Sequence, residues 1–266
     1  MISKAIKIIF VLFTFLNYSQ NTELFDQGND FYNQGKYFEA IEKYNLILKN
    51  GSHSEELYYN LGNSYYKLND IANSIFYFEK ALVLNPSNEK VLNNLSFANN
   101  MLIDKIEPLP TNQISSFFNS LVDLFFYSTW QYIYLFFEFL AIIFLVFYIV
   151  SKNPTIKKRY FITALSFSLF FLLTMLAANI SKGNYQKDNP AIIFDKEVDL
   201  RAEPNLRSEE INILHEGTKL NIIESINDWS LVEIKNGNKG WLTTSSFRLI
   251  KSVSYTHLRA HETTHD

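Results

Sequence analysis

Gly28-Asn29-Asp30-Phe31-Tyr32 and Gly62-Asn63-Ser64-Tyr65-Tyr66 are two versions of one phrase set thirty-four residues apart. The echo runs on: Ile41 returns as Ile75 and Tyr44 as Phe78. That period is the length of a helix–turn–helix repeat, whose apolar face is buried against neighbouring repeats. Hairpins of this kind present surfaces to other proteins and rarely carry chemistry. The functional question becomes one of partners.

Within each unit, apolar residues recur at helical spacing. Leu24, Phe31 and Tyr32 mark a first helix, and Ala40, Ile41, Tyr44 and Ile47 a second, with Gly35 in the turn. Tyr58, Leu61, Tyr65 and Tyr66 mark a third, and Ile71, Ser74, Ile75, Phe78 and Ala81 a fourth, with Asn69-Asp70 in the turn. Gly28, Gly62, Ala40 and Ser74 are small where paired helices must approach closely, and Pro86 ends the second unit. On these residues, 21–103 resembles the tetratricopeptide repeat (TPR) family. The first unit departs from it, with Ile47 where Ala81 stands and no closing proline. Two units fall short of the roughly three needed for stability. Residues 89–103, with Val91, Leu92, Leu95, Ala98 and Leu102, are expected to supply a capping helix.

In the TPR family the first helix of each hairpin lines a groove. Carried over by position, the resemblance points Phe25, Asn29, Tyr32, Tyr59, Asn63, Tyr66 and Lys67 into it. Asparagines can hydrogen-bond an extended peptide, and tyrosines are amphipathic anchors. For any single aromatic the alternative is packing between helices.

Charge excludes a nucleic-acid partner. Net charge is −3; residues 21–110 hold 12 acids against 7 bases and residues 181–250 hold 11 against 9. Neither segment has the basic footprint that phosphate contacts require. The absence of cysteine excludes disulfides, thiolate nucleophiles and Cys-ligated zinc.

Hydropathy predicts three apolar segments. Lys4 and Lys7 precede the short run Ile8–Leu16, which reads as a signal peptide over 1–19, either cleaved after Ser19 or kept as an uncleaved anchor. The second segment is a membrane span over 130–150, since 14 of the 18 residues from Ile133 to Val150 are Ile, Leu, Phe or Val. These favour insertion by about 4–8 kcal/mol, against a cost of about 2.5–3.5 kcal/mol for Glu138. Trp130, Tyr132 and Tyr134 suit an aromatic belt. Glu138 is either a partner contact or a carboxylate reaching back to the interface. A second span over 161–180 carries no charge from Ile162 to Ile180. The intervening 151–160 has four bases and no acid, so the positive-inside rule makes it a cytoplasmic loop. Both flanks then face a bacterial periplasm from the inner membrane. Between repeats and membrane, 104–129 reads as a linker, broken by Pro108 and Pro110, followed by an interfacial helix rich in Phe.

Beyond residue 190 the period becomes two. Val198–Arg201, Lys219–Glu224 and Trp229–Ile234 read as short strands, and Asn236-Gly237 as a type I′ hairpin turn. With Glu216-Gly217-Thr218 and Gly240-Trp241-Leu242, residues 190–250 resemble a bacterial SH3-like barrel. Its relatives bind cell-wall peptides or proteins. Trp229 and Trp241 either form an aromatic binding groove or fill the small core. The fold class is thus a multidomain membrane protein: all-α TPR hairpins, two transmembrane helices and a small all-β SH3-like barrel.

His261-Glu262-Thr263-Thr264-His265 fits the H-E-x-x-H zinc pattern of metallopeptidases. The motif has no room after it for a third ligand or a supporting helix. Residues 252–266 also resemble a translated sequencing adapter and are expected to be non-native. His53 and His215 read as lone surface residues. No catalytic constellation, metal site or cofactor is expected, and the chain reads as a non-enzyme.

The order of parts, the Asp104–Pro110 linker and Asn94-Leu95-Ser96-Phe97-Ala98 resemble the BatE family of the Bacteroides aerotolerance operon. That resemblance implies other Bat membrane proteins with von Willebrand A-type subunits as partners, and a MoxR-type ATPase as an indirect one. It implies a membrane-anchored scaffold binding through the TPR groove. The alternative is a cell-wall sensor whose barrel binds peptidoglycan.

Overall fold

A computed structural model describes residues 20–110 and 113–251. The chain forms two compact units, Met1–Pro108 with Asn189–Asp266, and Leu109–Asp188. The proposed signal peptide and the H-E-x-x-H tail lie outside the described residues.

The first unit begins with five helices: α1 over 20–33, α2 (Tyr37–Lys49), α3 (Glu55–Lys67), α4 (Ile71–Leu84) and α5 (Glu89–Asn100). Local chemistry sets their ends. Ser54 Oγ accepts from Leu57 N at 3.1 Å, Asp70 from Asn73 N at 3.1 Å, and Asn88 from Lys90 N at 2.9 Å, each satisfying a donor orphaned at a helix start. Gly35 (φ 77°) and Asn69 (φ 60°) take the left-handed turns between paired helices.

The thirty-four-residue echo is a packing rule. Tyr44 and Phe78 are fully buried, and each ring lies over a glycine of the preceding helix. A Cβ at Gly28 would stand 2.4 Å from the Tyr44 ring, and one at Gly62 would stand 2.5 Å from that of Phe78. Ser74 Oγ, buried in the same seam, donates to Gly62 O at 2.9 Å. Each ring contributes about 1.5–3 kcal/mol by burial, which a side chain in its slot would forfeit in part. The expected capping helix is shorter than 89–103: Val91, Leu95 and Ala98 are buried, Leu92 is exposed, and Leu102 packs on the core beyond the helix end.

Seven strands complete this unit: β1 (Pro190–Ile193), β2 (Glu197–Arg201), β3 (Glu210–His215), β4 (Lys219–Ile226), β5 (Trp229–Ile234), β6 (Lys239–Thr243) and β7 (Phe247–Leu249). They pair antiparallel in the order β3-β2-β6-β5-β4-β1-β7. One core takes residues from all seven, including Leu200, Leu214, Val232, Leu242 and Phe247. A flat sheet of that order would spread its outer strands roughly 29 Å apart, so a shared core requires the sheet to curl. Asn236-Gly237 is not a type I′ turn. Gly237 has φ 82° but Asn236 does not enter the positive region, and the loop spans four residues from Ile234 to Lys239. The two-residue turn is Asn227-Asp228, with Asn227 at φ 52°.

The second unit holds α6 (Gln113–Val122), α7 (Tyr127–Val150) and α8 (Pro154–Lys187). Rings pair Tyr134 with Phe171, Phe137 with Phe170 and Phe147 with Tyr160, so α7 and α8 run antiparallel. Both are long and apolar enough to cross a membrane. The expected loop 151–160 contracts to 151–153. Asn153 Oδ1 accepts from Thr155 N at 3.0 Å and Pro154 supplies a helical φ, so Lys157, Lys158 and Arg159 fall on the first turns of α8. The helices also begin earlier (127 rather than 130) and end later (187 rather than 180) than hydropathy placed the spans. Trp130 does more than mark a belt: its Nε1 donates to Val122 O at 2.9 Å, tying α7 to α6.

Gly62→Ala is expected to lower stability by about 1–3 kcal/mol, because the added methyl must displace a close-packed ring. Hydrogen exchange of α3 and α4 amides reads this as a matching loss of protection, while Gly183→Ala, with open space around it, leaves protection unchanged.

Candidate functional site

α1, α3 and α5 lie side by side and are joined by an asparagine ladder. Asn60 Nδ2 (α3) donates to Asn29 Oδ1 (α1) at 2.9 Å, and Asn94 Nδ2 (α5) donates to Asn63 Oδ1 (α3) at 2.7 Å. Both rungs join residues thirty-one apart, a spacing visible in the sequence but not read there. Tyr44 Oη also donates to Asn29 Oδ1 at 2.7 Å, and Tyr59 Oη accepts from Asn94 Nδ2 at 3.2 Å.

This ladder changes what the groove residues can do. Asn29 Oδ1 accepts two of these hydrogen bonds and Asn63 Oδ1 one, whereas their NH2 groups have no partner among the described residues. The NH2 groups are donors suited to carbonyl or carboxylate oxygens. Phe25 and Tyr59 are half-buried and lie against the core rings Tyr44 and Phe78, at 5.8 and 6.1 Å between centroids. Tyr32 and Tyr66 are also half-buried, and Lys67 is exposed. Burial pushes the Tyr32 phenol above its ordinary value, with neighbouring Tyr37 and Tyr59 adding to the effect. All seven residues therefore keep some accessible surface, and the four aromatics are also part of the helical packing.

On the sheet, Trp229 and Trp241 do not fill the core. Ser230, Val232 and Leu242 alternate with them and point inward, while both tryptophans are half-buried on the opposite face. Strand register sets Trp241 opposite Leu231 on one side and Arg201 on the other, with Trp229 opposite Thr243. Arg201 is held in place by Asp199 at 2.6 Å and Glu210 at 3.2 Å. The face is an aromatic and aliphatic stripe edged by an anchored guanidinium.

The repeats and the sheet are not separate domains on a linker. Asp104, expected in an extended connector, is a three-way acceptor. Its carboxylate takes hydrogen bonds from His215 N at 2.7 Å, His215 Nδ1 at 2.8 Å and Thr218 Oγ1 at 2.6 Å. Its side chain is 11% exposed. His215 is thus paired and no lone surface residue, and His53 likewise meets Tyr58 Oη at 2.7 Å. Around this clamp, Lys219 bridges to Glu79 at 2.8 Å, Phe76 meets Phe194 edge-on at 5.6 Å, and Arg248 covers the Phe194 ring at 4.0 Å. Gly217 (φ 84°) passes so close that a Cβ there would stand 2.6 Å from Leu102. Ile192 and Ile250 from the sheet are buried in the helical core beside Ile75 and Phe76.

Glu138 lies on α7 in an open groove against α8 and makes no hydrogen bond or ion pair among the described residues. Among those residues no group of His, Asp and Glu gathers as a metal site.

Burial works to raise the Asp104 carboxyl, but the hydrogen bonds from Thr218 and His215, with the attraction of the His215 ring, outweigh it and hold the group below its ordinary value. A depressed carboxyl stabilises the fold above its unfolded value of about 4 and ceases to as pH falls through the folded value. Exchange protection of the His215 and Thr218 amides is therefore expected to fall with pH below about 4. Asp104→Asn should remove that step and cost about 1–3 kcal/mol at neutral pH, by leaving the donors mismatched. A pH profile identical in the variant contradicts the clamp.

Residues 55–88 match the tetratricopeptide repeat family, and residues 196–247 match the bacterial SH3 domain family. The first match covers α3 and α4, while α1 and α2 carry the same glycine–aromatic pair outside it. The second leaves out β1, the strand that brings Ile192 to the helices. No curated protein matches the chain.

Proposed function

We propose that this chain is a membrane-anchored adaptor whose TPR face binds an extended segment of a partner protein, and that it is not an enzyme. The observation that carries the reading is the pair Asn29 and Asn63. They are repeat-equivalent, their oxygens are fixed by the ladder, and their NH2 groups lie beside accessible tyrosines. A peptide backbone offers carbonyls to such donors, and half-buried tyrosines are typical anchors.

Membrane anchoring is supported by the α7–α8 hairpin, whose outward side chains are large and apolar, among them Phe136, Phe139, Leu169 and Leu172. A surface of that kind is untenable in water. The segments before and after the hairpin meet in one compact unit, which suits two spans returning the chain to its starting side. Lys152, Lys157, Lys158 and Arg159 at the turn favour a cytoplasmic turn, with the TPR and SH3 parts in the periplasm. The resemblance to the BatE family makes Bat-type membrane proteins the partners of this reading.

Crosslinking in native membranes with mass spectrometry tests it. Asn63→Ala and Tyr66→Ala are each expected to reduce partner adducts about tenfold, the weight of an interface anchor. An unchanged partner set contradicts the groove.

A second reading is favoured by the Trp229–Leu231–Trp241 face, since solvent-facing aromatics in a bacterial SH3 domain suit a cell-wall peptide ligand. Detergent-solubilised protein should then be retained on peptidoglycan sacculi, with retention lost in Trp241→Ala. Equal retention of the two proteins removes this reading.

A further inference from the structure

The groove on the α7–α8 hairpin has a shape and a charge that the adaptor reading leaves unused. It measures about 320 Å³ and is lined by Glu138, Ala141, Leu145, Ala164, Ser168 and Phe171 among others. On α7 the lining positions 138, 141, 142 and 145 form one helix face, and on α8 so do 161, 164, 165 and 168. The groove therefore runs along both helices. Ala141, Ala164 and Ser168 keep its floor low, the condition under which another helix can approach closely in lipid.

Glu138 lies near the middle of α7, about 12 Å along the helix from Trp130 and about 18 Å from Val150 at 1.5 Å per residue. It has no partner among the described residues, and a carboxylate in hydrocarbon is costly unless paired. Neither α7 nor α8 neutralises it at that depth, because no Lys, Arg or His occurs between Tyr127 and Val150 or between Tyr160 and Ser181. A second copy would bring only another carboxylate. Resting on the membrane reading above, we infer that this groove receives a transmembrane helix of a different protein, one carrying a lysine or arginine near mid-span that pairs with Glu138.

The full chain in phosphatidylcholine vesicles, labelled at Lys152→Cys, tests this by energy transfer to Leu/Ala-rich transmembrane peptides with a single central Lys, Leu or Glu. The Lys peptide is expected to associate about tenfold more tightly than the Leu peptide, and Glu138→Gln, which keeps a hydrogen-bonding amide but no charge, should abolish that preference. Equal association of Lys and Leu peptides, or a preference that survives in Glu138→Gln, overturns the inference. So does self-association of the chain strong enough to exclude the Lys peptide. Carbonate extraction of the same vesicles separates the two failures. An extracted chain contradicts the membrane reading, whereas an inserted chain without the preference contradicts the groove assignment alone.

Discussion

Ile192 on β1 and Ile250 just after β7 belong to the first and last strands in chain order, which pair at one edge of the sheet, and both are buried among the side chains of the helical repeats. The rest of the first unit depends on that shared core. Two hairpins and one further helix are too few to bury their own apolar faces, since such stacks need about three repeats. The sheet supplies the missing neighbour by packing on α4, where Phe76 meets Phe194 and Glu79 meets Lys219. Each isoleucine adds about 1.5–3 kcal/mol by burial. Asp104 then fixes the turn that delivers Gly217 against Leu102. Apolar contact supplies the energy here, and the carboxylate clamp supplies the register.

A fused body alters how the chain would act. Flexibly tethered domains search independently, with an effective concentration set by the tether. A TPR face and an SH3 face built on one core keep a fixed mutual geometry, so ligands bound to both would be held at a set separation. The segments that join in this body are interrupted in sequence by the α7–α8 hairpin.

What was legible in the sequence was what repeats locally. The Gly28/Gly62 and Tyr44/Phe78 echo identified the hairpins because one packing rule is written twice. Turn chemistry was legible where a residue type is demanded by φ, as at Gly35, Asn69 and Gly217, and misread at Asn236-Gly237, where loop length decided the turn type. Pattern could not reveal contacts made across distance. Asp104 and His215 are 111 residues apart, so one read as linker and the other as surface. Ile192 sits in an apolar strand that would be buried in any sheet domain, and its neighbours lie in the helical repeats more than a hundred residues earlier in the chain. The groove positions were placed by family resemblance. The fixed orientation of the two amides came from the ladder, whose thirty-one-residue spacing was present but carries no meaning until α1, α3 and α5 are seen side by side.

Rigid fusion is the claim on which the others lean, and one distance distribution tests it most directly. The chain has no cysteine, so spin labels at Glu42→Cys on α2 and Lys235→Cys beyond β5 are the only ones present. Pulsed electron–electron double resonance on the full chain should give a single narrow distance at neutral pH. A broad or two-peaked distribution would mean that the repeats and the sheet move as independent domains, and would contradict the shared core.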